Sequence, residues 1–267
     1  MSTIKPGLVS ITFRQKSPQE IIRLCEETNL QGIEWGGDVH VPHGDFVQAR
    51  QVYKWCEDAG LQIVAYGSYY RTGHSEEETP FAQVLETAHE LGAPLIRVWA
   101  GKIDAQDADE KYFQRIVSES QRIGDLANQA NIKVAYEFHG KTINNSATAS
   151  KVLFDAINHS VWQTLWQSLA IETIPQEESL KSVLSRLANL HVYHWQDFRN
   201  RFPLEEGFDQ WQKYFSIADN DISRWALLEF VRNDDPKSLR EDAETLHRLL
   251  QCHVKLDKSN HNDTLAQ

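Results

Sequence analysis

The sequence has no run approaching the roughly 20 consecutive apolar residues that a membrane-crossing helix needs. Its first residues, MSTIKPGLVS, lack the apolar stretch of a secretory leader. Cysteine is scarce: Cys25, Cys56 and Cys252 are scattered, with no metal-type or redox spacing between them. This pattern fits buried thiols in a reducing cytoplasm better than a disulfide framework. Basic charge is also short, with 27 Lys and Arg against 38 Asp and Glu and a net charge of -11. Such a balance disfavours binding to a phosphate backbone, so no nucleic-acid partner is expected. Neither G-x-G-x-x-G nor a Walker-type sequence occurs. No long Gly, Ser or Pro linker interrupts the chain, so one domain is expected over residues 1–253, followed by a polar, flexible tail over 254–267.

What is present is a rhythm of short apolar runs alternating with amphipathic segments. GLVSITF reads as a strand, and SPQEIIRLCEETN as a helix with Ser17 as cap, Pro18 in its first turn and Glu20 completing a capping box. The pattern continues through LQGIEWGG, LQIVAYGSYY, APLIRVWAG, IKVAYEF, VWQTLWQ, NLHVYHW and RWALLEFV. Helical segments are expected near residues 46–60, 76–91, 109–130, 148–158, 176–188 and 208–216, and from Pro236 to Leu250. Eight strand–helix units in roughly 250 residues predict a single (β/α)8 barrel, a TIM barrel in the α/β class. A doubly wound sheet alternates in the same way, but usually has fewer strands and often a Gly-rich first turn.

A parallel barrel gathers the carboxyl ends of its strands around one mouth. Glu137, Gln167, His194 and Glu229 end four consecutive expected strands, each about one strand–helix unit after the last. Burying a carboxylate is costly unless it is paired, hydrogen-bonded or bound to an ion. Oxygen and imidazole donors at similar height suit one divalent ion, Mn²⁺, Zn²⁺ or Mg²⁺. A lone strand-end glutamate is often only an ion-pair partner, and a lone histidine only a structural donor; it is their recurrence that points to a metal. Glu34 and His40 flank the second strand end as pocket candidates. Arg97, inside an apolar strand, requires a carboxylate or a ligand oxygen. Trp99 and Trp195 are candidates to stack on the apolar face of a bound ligand, although core packing alone would explain Trp99. Lys141 and Arg199 are candidates for a substrate carboxylate or phosphate, and Asp197 for orienting a pocket side chain or binding substrate. His139 and His191 are assigned structural work.

These strand ends resemble the xylose-isomerase-like TIM-barrel superfamily, in its sugar phosphate isomerase/epimerase group. GIEWGGDVH, IRVWAG, AYEFHG, HVYHWQD and LLEFV carry the likeness, which spans about residues 7 to 250. The resemblance implies one divalent metal ion held by Glu, Asp, His and Glu, with Glu137, His194 and Glu229 matching three of the four. It further implies that Glu137 and Glu229 form an acid/base pair across a sugar. The sequence departs from the pattern in LWQSLA, where Gln167 replaces the usual Asp and Ala170 the histidine that follows it. The expected function is a metal-dependent isomerase or epimerase of a small sugar or polyol derivative, working by glutamate-mediated proton transfer. A dehydratase of the same fold and a catalytically inactive sugar-binding barrel are the alternatives. An abasic-site endonuclease, an activity found on a related barrel, is disfavoured by the acidic charge and the single-site ligand count. Homo-oligomer formation is compatible with the Trp-rich loops.

Overall fold

Each expected unit forms in the computed structural model, which describes residues 3–170 and 172–262, with the side chains of 252–262 excepted. The order is β1 (Ile4–Val9), α1 (Pro18–Thr28), β2 (Gly32–Gly36), α2 (Phe46–Asp58), β3 (Gln62–Arg71), α3 (Phe81–Leu91), β4 (Leu95–Trp99) and α4 (Glu110–Gln129). It continues with β5 (Lys133–Glu137), α5 (Ala147–Ile157), β6 (Trp162–Trp166), α6 (Gln176–Val183), β7 (Leu187–Val192), α7 (Phe208–Ala218), β8 (Arg224–Leu228) and α8 (Pro236–Asn262). The strands are all parallel and close into a barrel in chain order, with β1 paired to β8. No helix of the described residues is long and apolar enough to cross a membrane.

Local chemistry sets the boundaries. The Ser17 N–H donates to Glu20 Oε2 at 2.8 Å and the Ser17 hydroxyl caps the Glu20 N–H, which starts α1. Asn29 ends it in the left-handed region at φ 54°. Helix α3 starts at Phe81 rather than at 76, because Pro80 disfavours helical backbone at Thr79. The first strand begins and ends earlier than GLVSITF suggested, and Ser10–Phe13 form a 3₁₀ turn. There the Ser10 hydroxyl oxygen accepts the Gly36 N–H at 2.9 Å. Helix α8 runs past the expected Leu250 to Asn262, so the polar tail begins within it. Residues 263–267 of that tail lie outside the described residues.

Side-chain alternation divides the interior in two. Ile33, Trp35, Ile96, Val98, Val134, Tyr136, Leu190, Val192, Ala226 and Leu228 belong to the large core shared with the helices. Within it Trp162 stacks on Tyr136 with centroids 4.3 Å apart and donates its indole N–H to Ser120 O at 3.0 Å. Truncating such a residue to alanine costs about 3–5 kcal/mol. The residues between them, Val9, Ile11, Ala65, Leu95, Ala135, Leu165 and Leu227, form a small core inside the barrel. Above that core the same inward parity carries charge instead of hydrocarbon.

Candidate active site

Five strands deliver the charged layer: Glu34 from β2, Arg97 from β4, Glu137 from β5, His191 from β7 and Glu229 just after β8. All five are buried. Arg97 Nε donates to Glu34 Oε1 at 2.7 Å, and its Nη1 donates to Glu137 Oε2. A Cβ at Gly67, on neighbouring β3, would stand 2.5 Å from Arg97 Nη2, so glycine is what leaves room for the guanidinium. Glu137 also accepts from Trp99 Nε1 at 2.5 Å and from Gln167 Nε2 at 3.1 Å. Burial alone would raise the Glu137 pKa, but Arg97, with His191 and His139, holds it well below the usual carboxylate range. Glu34, where burial is likewise outweighed by Arg97 and then His191, is also lowered.

His191 turns one nitrogen each way. Nε2 lies 3.2 Å from Glu34 Oε2. Nδ1 stands 3.4 Å from Glu229 Oε2 and 3.6 Å from Glu137 Oε1, and has no hydrogen-bond partner among the described residues. Burial would lower the His191 pKa, yet Glu229 and Glu34 outweigh it and raise it well above the ordinary imidazole value. Donor atoms of Glu137, His191 and Glu229 lie within 4.8 Å of one another and could hold a metal ion. The unpartnered Nδ1 between two carboxylate oxygens fits a divalent cation, with Nε2 bonded to Glu34 to fix the ring.

This arrangement corrects the position of the histidine. His194 takes no part in the group: its ring packs against Gly207 and lies 5.8 Å from Phe202. The reason is parity. Asn189, His191 and Tyr193 alternate with Leu190 and Val192, which face the helices, and His194 follows that second set beyond the end of β7. The structural role assigned to His191 from sequence is thus replaced by a place in the metal-competent group. Gln167 also differs from expectation. Its Nε2 donates to Phe138 O at 2.7 Å, an acceptor that fixes the amide with nitrogen, not oxygen, toward Glu137.

The floor opens into a cavity of about 390 Å³ at the carboxyl ends of the strands. Arg97, Trp99, Glu137, His139, Gln167, Trp195 and Glu229 line it, and all but His139 are among the site candidates drawn from the sequence. Glu34 lies beneath, paired to Arg97. His40 is buried behind the wall, with Nδ1 2.9 Å from the Ser10 hydroxyl and Nε2 3.2 Å from Lys16 O. Lys141 and Arg199 are exposed and do not line the cavity. Asp197 caps its own turn, accepting the Arg199 N–H at 2.8 Å and the Asn200 N–H at 3.0 Å.

Sequence reasoning missed most of the aromatic wall. Tyr69, Tyr193, Phe198 and Phe230 line the cavity, as do Ile11, Arg14 and Leu169. Tyr69 packs edge-on to Trp99 at 5.1 Å, and Tyr193 stacks on Trp195 at 3.8 Å. Tyr69 and Phe230 hold positive φ, 57° and 49°, a strained backbone for bulky residues. Alternation from Ala65 through Gly67 was the available signal for Tyr69. Arg14 donates to Asp38 and, at 2.6 Å, to the Tyr69 hydroxyl, so its charge is already answered.

A sequence model of the family described as xylose isomerase-like TIM barrel matches residues 22–249. No curated protein matches the chain in sequence. Among solved structures, the probable 3-DHS dehydratase AsbF of Bacillus anthracis superposes with TM-score 0.77 at 19% identity, covering 91% of this chain and 99% of its own. A xylose isomerase-like TIM barrel protein from Mycobacterium smegmatis in complex with magnesium gives 0.72 at 14%, over 95% and 99%. A D-psicose 3-epimerase in the presence of D-fructose gives 0.69 at 14%, over 91% and 97%.

Proposed function

The chain belongs to the xylose isomerase-like TIM-barrel family, and we propose that within it this protein is a divalent-metal-dependent isomerase or epimerase of a small hydroxylated carbonyl compound. The observation that carries this reading is the convergence of Glu137, His191 and Glu229 at the floor of an aromatic cavity.

Glu137 Oε1, His191 Nδ1 and Glu229 Oε2 would hold the ion. When bound, it supplies Lewis-acid polarisation of a carbonyl oxygen. The protein divides the remaining work between its glutamates. Glu137 already accepts from Arg97 and Trp99 at Oε2 and from Gln167 at Oε1, which suits holding charge in place rather than moving a proton. The Glu229 carboxylate lines the cavity and accepts no hydrogen bond from the described residues beyond facing His191. Glu229 is therefore the group that removes the proton beside the carbonyl. Return of a proton from a bound water to the opposite face gives epimerisation, and return from Glu229 to the neighbouring carbon gives isomerisation.

The same abstraction followed by loss of a hydroxyl would be dehydration, the reaction named for the Bacillus anthracis neighbour. Product mass separates the two outcomes. To test the main reading, Mn²⁺-loaded protein is incubated with a panel of ketohexoses in D₂O and followed by NMR. Deuterium should enter at the carbon beside the carbonyl, with mass otherwise conserved, and Glu229→Gln should abolish it. No exchange with any ketose, from protein shown by elemental analysis to carry the ion, would overturn the assignment.

A further inference from the structure

A second cavity, also of about 390 Å³, lies beside the first, above the ends of β6 and β7. Leu169, Tyr193 and Trp195 line both, so the two meet along a shared ridge. The second has a different character from the first. Its polar lining includes three amides, Gln176, Gln196 and Gln210, beside Asp197 and His194, and its aromatic rings include those of Tyr193, Trp195, Trp211 and Tyr214. Neither lysine nor arginine is among its lining residues, which disfavours a phosphate or carboxylate there. Ala170, where the resembling sequences carry histidine, contributes only a methyl group to the wall.

Two polar atoms in this lining are enclosed without a partner among the described residues: Trp195 Nε1, a donor, and Gln176 Oε1, an acceptor. The Gln176 amide is fixed in that sense, because its Nε2 donates to Leu169 O at 2.8 Å. A hydroxyl both donates and accepts, so a ligand bearing several suits a lining of side-chain amides, each of which offers a donor and an acceptor. Neutral amides together with flat aromatic faces suit a saccharide ring, whose C–H face packs on aromatic rings while its hydroxyls bond to amides.

We propose that this cavity is a second saccharide subsite, and that the substrate is a glycoside of a ketose: the ketose against Glu229 and the glycosyl unit across the Tyr193–Trp195 ridge. The proposal rests on the proton-transfer reading of the main cavity only for the placement of the ketose, and its test reads binding, not turnover. Calorimetric titration of the Mn²⁺-loaded protein compares D-fructose with its glycosides turanose, maltulose and lactulose. At least one disaccharide should bind on the order of tenfold tighter than fructose. Ala170→Trp, at an exposed position, should fill the cavity and remove that advantage while leaving fructose affinity unchanged. Gln176→Ala should do the same in part. Disaccharides that bind no tighter than fructose, or variants that weaken both ligands equally, would overturn the subsite. Retained disaccharide preference in a protein that exchanges no deuterium would uphold the subsite and count against the proton-transfer reading alone.

Discussion

Arg97 Nε lies 2.7 Å from Glu34 Oε1, and the opposite edge of the same guanidinium holds Glu137. Because Glu34 spends its other oxygen on His191 Nε2 at 3.2 Å, one buried cation orients two of the three residues that could hold a metal ion. The layer carries three carboxylates against one guanidinium and one imidazole, so its assembly depends on Arg97.

Replacing Arg97 by Met should therefore cost about 3–5 kcal/mol of stability, since it strands two buried carboxylates. Urea unfolding of the metal-free protein at pH 8 measures this. Combining Arg97→Gln with Glu34→Gln should recover part of the loss by removing one orphaned charge. A loss below about 1 kcal/mol in Arg97→Met, the range of exposed ion pairs, would mean that the carboxylates are neutral or solvated and that the network does not hold the layer.

His191 in β7 and His194 just beyond it separate cleanly by experiment. His191→Gln should lose the bound ion in elemental analysis after Mn²⁺ loading and gel filtration, whereas His194→Ala should keep one ion per chain. The reverse pattern would restore the assignment drawn from HVYHWQD and refute the parity argument.

The barrel was legible because eight apolar runs of strand length recur with helical segments between them, and because Ser17, Pro18 and Glu20 punctuate the chain in known ways. Glu137 and Glu229 stood out as carboxylates at the ends of apolar runs, and both lie on the cavity floor. His191 carried a readable signal, two residues beyond Asn189 on the inward face, but the HWQD stretch drew attention to His194. Arg97 visibly required a carboxylate. Its partners could not be named, because Glu34 and Glu137 are 63 and 40 residues away in sequence and only barrel closure brings them together. The positive φ of Tyr69 and Phe230 has no local sequence signature, since neither residue favours that region. GLVSITF reads as one strand on its β-branched residues, and the turn at Ser10 depends on Gly36 from another strand.

Asp242 in α8 gives a pH prediction away from the site. It is 6% exposed and accepts the Leu204 N–H at 2.8 Å, and burial pushes its pKa up from 3.8 to about 6. The Leu204 hydrogen bond opposes that rise, Glu241 adds to it and Arg232 counters it. The folded state thus binds this proton more tightly than the unfolded chain, so the contribution of Asp242 to stability falls as pH rises from about 4 to about 6 and is level above. Asp242→Asn keeps an oxygen for Leu204 and cannot ionise. It should gain roughly 2–3 kcal/mol at pH 8 and almost nothing at pH 4. Equal effects at both pH values would contradict a buried, raised carboxyl.

Gln167 supports a last prediction, because its amide nitrogen serves two acceptors at once. Nε2 donates to Glu137 Oε1 at 3.1 Å and to Phe138 O at 2.7 Å. Gln167→Glu keeps the shape but removes both donors and sets a second carboxylate beside Glu137. Without metal, the variant should be less stable by about 1–3 kcal/mol at pH 8. The introduced carboxylate would have its folded pKa raised above the unfolded value by burial and by Glu137. Its destabilisation should accordingly be present at neutral pH and fade as pH falls through that raised value. A divalent ion between the carboxylates would reverse the sign of their interaction. Saturating Mn²⁺ should therefore raise the melting temperature of Gln167→Glu more than that of the wild type, since an ion bound only by the folded state stabilises it in proportion to its affinity. Equal thermal shifts in the two proteins would place the ion away from residue 167, and no shift in either would remove the metal from this floor altogether.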